Sequence, residues 1–113
     1  MINVKIYVTG EEIRGFKVEG HALFDDPGKD IVCAAVSILT INTINAIDTF
    51  VKDEAKEVCV DENNGSIECV FSGKPCNDTK LLVDTFILGI RGIQEEYGRK
   101  YVRLEEQQRT FID

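Results

Sequence analysis

The chain has 113 residues, 43% hydrophobic and 29% charged, which suits one globular domain spanning 1–113 and excludes a disordered chain. Its 13 Lys and Arg against 20 Asp and Glu leave a formal net charge of −7, a field that repels phosphate backbones and attracts basic partners. Direct nucleic-acid binding is therefore not expected. The apolar stretch 31–47 is interrupted by Ser37, Thr40, Asn42, Thr43 and Asn45, which reads as too polar for a membrane span. MINVKIYVTG has neither a basic n-region nor an apolar h-region, so a cytoplasmic protein without a secretory signal is expected.

In chain order, residues 2–8 alternate, with Ile2, Val4, Ile6 and Val8 on one face of a strand. Gly10-Glu11-Glu12 is a turn, and residues 13–20 return as a second strand with Phe16 and Val18 inward. Strict alternation puts His21 on the face away from the core, unless Gly20 turns the chain before it. The loop 22–29 carries the turn signature Asp25-Asp26-Pro27-Gly28.

Asp30 is a good helix N-cap, and the helix is expected to run to about Asp53. Val32, Ala35, Val36, Leu39, Thr43, Ala46, Ile47 and Phe50 mark one stripe at helical spacing. Ile31, Ala34, Ile38 and Ile41 widen the apolar surface, so this helix calls for cover by a second helix or a partner subunit. Residues 57–71 read as a second hairpin, with Asn64-Gly65 as a type I′ turn placing Val60 opposite Cys69. Val58, Val60, Ile67, Cys69 and Phe71 then share the core face. Beyond Gly73-Lys74-Pro75, Asn77 or Asp78 caps a helix to about Gly98. Its inner positions are expected at Leu81, Leu82, Thr85, Phe86, Leu88, Gly89, Ile93 and Tyr97, with Gly89 and Gly92 allowing close helix approach. Val102–Leu104 can add an edge strand before the tail frays. The order ββαββα(β) implies an α+β domain, one antiparallel sheet with two packed helices.

Cys33, Cys59, Cys69 and Cys76 contain no CxxC pair, and a single histidine cannot complete a Cys/His zinc set, so no metal is expected. Disulfides are not expected in a reducing cytosol. Cys69 reads as core, Cys59 as exposed on the outer sheet face, and Cys76 as a loop or helix-entry residue. Asp25-Asp26 reads as a solvated turn.

His21 and Cys33 carry the candidate chemistry. As the third helical residue, Cys33 lies at the positive end of a helix dipole, which favours the nucleophilic thiolate. His21 is the one histidine available as general base and then general acid. Ser37 sits one turn beyond Cys33, free N–H groups at the helix start are candidate oxyanion donors, and the 22–29 loop is placed to cover a peptide. The plainer alternative is a hydrogen-bonded surface histidine and a small core cysteine. Spacing alone leaves both open.

Gly20-His21-Ala22 followed by Gly28-Lys29-Asp30-Ile31-Val32-Cys33-Ala34-Ala35-Val36-Ser37 resembles the ribosomal-processing cysteine protease (Prp) family, over nearly the whole chain. That resemblance implies a homodimeric endopeptidase without metal or organic cofactor. Its implied substrate is the short, hydrophobic, Phe-containing N-terminal extension of large-subunit ribosomal protein twenty-seven. It also implies Cys33 as nucleophile, His21 as base, and Gly20, Asp30 and Ser37 as supporting positions. Leu23-Phe24-Asp25-Asp26-Pro27 departs from the family's small loop residues. The alternative function is a non-catalytic dimeric module that binds a ribosomal protein or assembly factor.

Overall fold

The computed structural model describes residues 1–26 and 29–110. Pro27 and Gly28 of the expected turn, and the last residues of the tail, lie outside them. The elements are β1 (Ile2–Thr9), β2 (Glu12–Gly20), α1 (Ile31–Phe50), β3 (Lys56–Asp61), β4 (Ser66–Phe71), α2 (Asn77–Tyr97) and β5 (Val102–Gln108). They form a five-stranded sheet in the order β3-β4-β2-β1-β5. Four of the strands pair antiparallel, as expected, but β5 runs parallel to β1, so the sheet is mixed. α2 carries the chain from β4 across to the far edge, and β5 enters there in the same direction as β1.

Period-two alternation puts Ile2, Val4, Ile6 and Val8 of β1 and Phe16 and Val18 of β2 into the core, where the helices cover one sheet face. Val32, Val36 and Ile47 of α1 and Val83, Phe86 and Ile90 of α2 complete it, and the Phe16 and Phe86 rings lie 4.9 Å apart. A Cβ on Gly89 would come within 2.8 Å of Leu39 Cδ1, so the expected close helix approach at that glycine is real. Gly92 has open space around it.

Four sequence expectations about α2 and the second hairpin fail. In α2 the buried side is Thr79, Val83, Phe86 and Ile90, whereas Leu81, Thr85 and Leu88 face outward. The helix carries apolar residues on two sides, and the one nearer the sheet is not the leucine-rich one. Its N-cap is Cys76 without a side-chain capping bond, rather than Asn77 or Asp78. Val58 and Val60 lie on the helix side of the sheet but are exposed, because β3 is an edge strand that α1 meets at Lys56 through Asp48 without covering the two valines. The hairpin register also differs: Val60 pairs with Ile67, and Val58 with Cys69. Asp61 sets this longer turn by accepting from the backbone N–H groups of Asn63 (3.1 Å) and Asn64 (3.2 Å), which outcompetes a tight Asn-Gly turn.

Helix α1 ends at Phe50 rather than Asp53, and Phe50 is exposed. By length and composition alone it is apolar enough to cross a bilayer, contrary to the sequence reading. In the fold its inner side packs on the sheet, while Ile31, Ala34, Ile38 and Ile41 stay exposed as a stripe. Buried Thr40 returns its hydroxyl to the Val36 carbonyl at 2.7 Å, which lets a polar residue sit in the core. The cysteines are all free, with Cys69 buried and Cys59 exposed, as their sequence positions indicated, and Cys76 is exposed at the entry to α2.

Candidate active site

Gly20 ends β2 with φ of +96°, and a Cβ there would lie 2.5 Å from the Met1 carbonyl oxygen. Only glycine fits both conditions. Its N–H donates to the Gly65 carbonyl of the β3–β4 turn at 3.3 Å. The chain thus leaves strand alternation where the sequence required it to. The exposed His21 imidazole lies against that turn, with Nε2 3.2 Å from where a Gly65 Cβ would stand. The next residue, Ala22, is buried in the core, and its backbone N–H donates to Cys33 Sγ at 3.2 Å.

Asp30 makes the other half of the site. One carboxylate oxygen accepts from Val32 N (3.0 Å) and Cys33 N (2.9 Å), the expected helix cap. The other accepts from Phe24 N at 3.1 Å and so ties the loop to the helix start. The same contacts overturn two expectations. Val32 N and Cys33 N are occupied by the cap, and Ala34 N donates to the Asp30 carbonyl at 3.1 Å, so these amides are not free to receive an oxyanion. The Cys33 thiol is pushed above its ordinary pKa rather than below it. Burial is the main cause, and the Asp30 carboxylate adds to it by accepting the thiol proton and by its charge. The N–H groups of Ala22 and Leu23 act in the opposite direction. An anionic cap offsets the positive helix end that would otherwise favour the thiolate. For Asp30, desolvation is the largest single influence and raises the pKa. The donors from Cys33, Phe24 and Val32 together overcome it, and the carboxyl is held below its usual range.

Two adjoining cavities meet at these residues. One of about 240 Å³ lies beneath the β3–β4 hairpin, against Val60, Glu62, Gly65 and Ile67. The other, of about 510 Å³, lies beside the loop, against Leu23, Asp25 and Ala34. His21, Cys33 and Ser37 line both. The structure therefore brings all three together in one groove, with Gly20 lining its hairpin side and Asp30 its loop side. No hydrogen bond joins His21 to Cys33 among the described residues. The hairpin wall of the groove was missed from sequence, although Asn64-Gly65 marked the turn that builds it. A separate cavity of about 570 Å³ near the β1–β2 turn is lined by Glu11, Lys80, Asp84 and Arg91 and holds neither thiol nor imidazole.

A thiol and an imidazole where two adjoining cavities meet suit covalent attack on a bound peptide. The sequence model of the family described as cysteine protease Prp matches residues 1–103. This chain belongs to that family. It is 30% identical to the ribosomal processing cysteine protease Prp of Staphylococcus aureus, over 87% of this chain and 92% of that protein. It also superimposes on crystal structures of the S. aureus essential ribosomal processing protease Prp. The one with a covalently linked product peptide gives a TM-score of 0.87 at 29% identity, covering 95% of this chain and 100% of that one. The one with a substrate peptide gives 0.82 at 27% identity, over the same shares. The chain is a cysteine protease, and its mixed five-stranded α+β fold is the Prp fold.

Proposed function

We propose that this protease removes the N-terminal extension of large-subunit ribosomal protein twenty-seven, in the cytoplasm and in support of ribosome assembly, with Cys33 as nucleophile and His21 as base. The reading is carried by one observation: His21, Cys33 and Ser37 line both halves of a single groove. S. aureus relatives that hold a substrate peptide or a covalently linked product peptide support it. Four free cysteines suit a reducing compartment, and the net charge of −7 suits a basic ribosomal protein.

In this mechanism the imidazole of His21 takes the Cys33 proton as Sγ attacks the scissile carbonyl carbon. The imidazolium then protonates the departing amine, and the C–N bond breaks to leave a thioester on Cys33. His21 next removes a proton from water, the hydroxide adds to the thioester, and the acid product departs as Sγ is reprotonated. Asp30 holds the helix start and the loop in register, and Ser37 lines the groove one turn along. The enzyme acts as a homodimer, the exposed stripe Ile31, Ala34, Ile38 and Ile41 of α1 supplying an apolar seam.

The substrate assignment is tested by incubating the protein with the ribosomal protein bearing its extension and measuring product mass. Loss of the extension alone is the expected result. An intact substrate bound without cleavage would instead support the non-catalytic binding module.

A further inference from the structure

The loop between His21 and Cys33 contains the single non-glycine residue with positive φ among the described residues, Leu23 at +57°. Leucine adopts this conformation only when something imposes it. Its own side chain is 77% exposed, so packing of Leu23 does not impose it. The constraint comes from both sides. Before it, Ala22 is fixed in the core with its N–H on Cys33 Sγ. After it, Phe24 donates its N–H to Asp30. The Phe24 ring packs edge-on against Tyr97, with centroids 5.4 Å apart at 80°, and against Tyr101, 5.1 Å apart at 75°.

Tyr97 closes α2, and Tyr101 is fixed at the entrance to β5 by Ile2 N donating to its carbonyl at 2.8 Å. The aromatic receptor thus belongs to the α2–β5 junction and lines neither cavity of the groove.

We propose that Phe24 is a positioning residue for the nucleophile: clamped by Tyr97 and Tyr101, it sustains the strained Leu23 turn that keeps the Ala22 N–H on Cys33 Sγ. The inference rests on the reading of Cys33 as nucleophile. The Ala22 N–H favours the thiolate, against the burial and the Asp30 carboxylate that disfavour it. Releasing the clamp frees the loop, weakens that donor and makes the thiolate harder to form.

The test uses the full chain as wild type, Phe24→Ala, Phe24→Tyr and Tyr101→Leu, each checked for native circular dichroism. Amide exchange at Ala22 and peptide-resolved alkylation of Cys33 by iodoacetamide across pH are measured. In Phe24→Ala and Tyr101→Leu, Ala22 should exchange at least about tenfold faster, and the alkylation profile should move to higher pH. A shift of about one unit slows alkylation near neutrality about threefold, because the scarcer thiolate is partly offset by its greater nucleophilicity. Phe24→Tyr should keep the wild-type values. Unchanged exchange and an unchanged profile in Phe24→Ala would overturn the proposal, as would equal losses in Phe24→Tyr. Neither readout needs a substrate, so these outcomes are separate from failure of the protease reading, which peptide cleavage decides.

Discussion

The backbone N–H of Ala22 reaches Cys33 Sγ at 3.2 Å, so the residue beside His21 contacts the proposed nucleophile. A single carboxylate, Asp30, holds the other side of the same sulfur's environment by capping Cys33 N and anchoring Phe24 N. The site is a loop and a helix start joined by these contacts, and its reactivity follows from their balance.

Replacing Asp30 by Asn removes the charge and keeps an oxygen for the cap on Val32 N and Cys33 N, but leaves no acceptor for Phe24 N, since the amide NH2 only donates. Asparagine caps helices about as well as aspartate. The variant should therefore fold, while losing the negative charge that disfavours the thiolate. The Cys33 midpoint, read from peptide-resolved alkylation across pH, should fall. A midpoint at or above the wild-type value would contradict the role given to Asp30. The wild-type carboxyl is held below its ordinary 3.8, so its contribution to stability is present above that pH and is lost as pH falls through the folded-state value. Acid unfolding of Asp30→Asn should lack this component.

Gly20→Ala places a methyl group 2.5 Å from the Met1 carbonyl oxygen, in a backbone conformation that alanine resists. Urea unfolding should show a loss of about 2 kcal/mol, and His21 should be displaced, with cleavage lost to a similar or greater degree. Stability equal to wild type would mean that Gly20 does not set the turn.

The phase of α2 is tested by a pair of truncations. Ile90 is fully buried and Leu81 is 65% exposed. Ile90→Ala should cost about 2–5 kcal/mol, and Leu81→Ala less than about 0.5 kcal/mol. The reverse order would restore the leucine-rich side as the core side.

For the dimer, Ile38→Asp puts a charge into the exposed α1 stripe without touching the core. Sedimentation should show the wild type as a dimer and the variant as a folded monomer. A monomeric wild type at micromolar concentration would remove the proposed seam.

Much of this was legible because local chemistry decided it. Gly20 had to break the alternation for His21 to leave its strand, and Asp30 had the side chain and position of a cap. What escaped were competitions between neighbours. Asp61 captures the amides of Asn63 and Asn64, and the turn lengthens while the core face of β4 keeps its parity. The leucines of α2 are more apolar than Thr79 and Val83, yet the sheet takes the latter. The helix dipole suggested an acidic thiol, but the carboxylate that builds the helix start also opposes ionisation of Cys33. Tyr7 alternates outward from the core and is nonetheless buried, because its hydroxyl donates to Glu68 at 2.5 Å and Arg109 lies over its ring. These partners come from distant positions that strand periodicity does not relate.

The dyad itself is tested most directly by kcat/KM on a peptide spanning the extension, measured for wild type, Cys33→Ala and His21→Ala. Both variants should remain folded and lose at least about a thousandfold in turnover. Cleavage by either variant within about tenfold of wild type would contradict the assignment of Cys33 and His21.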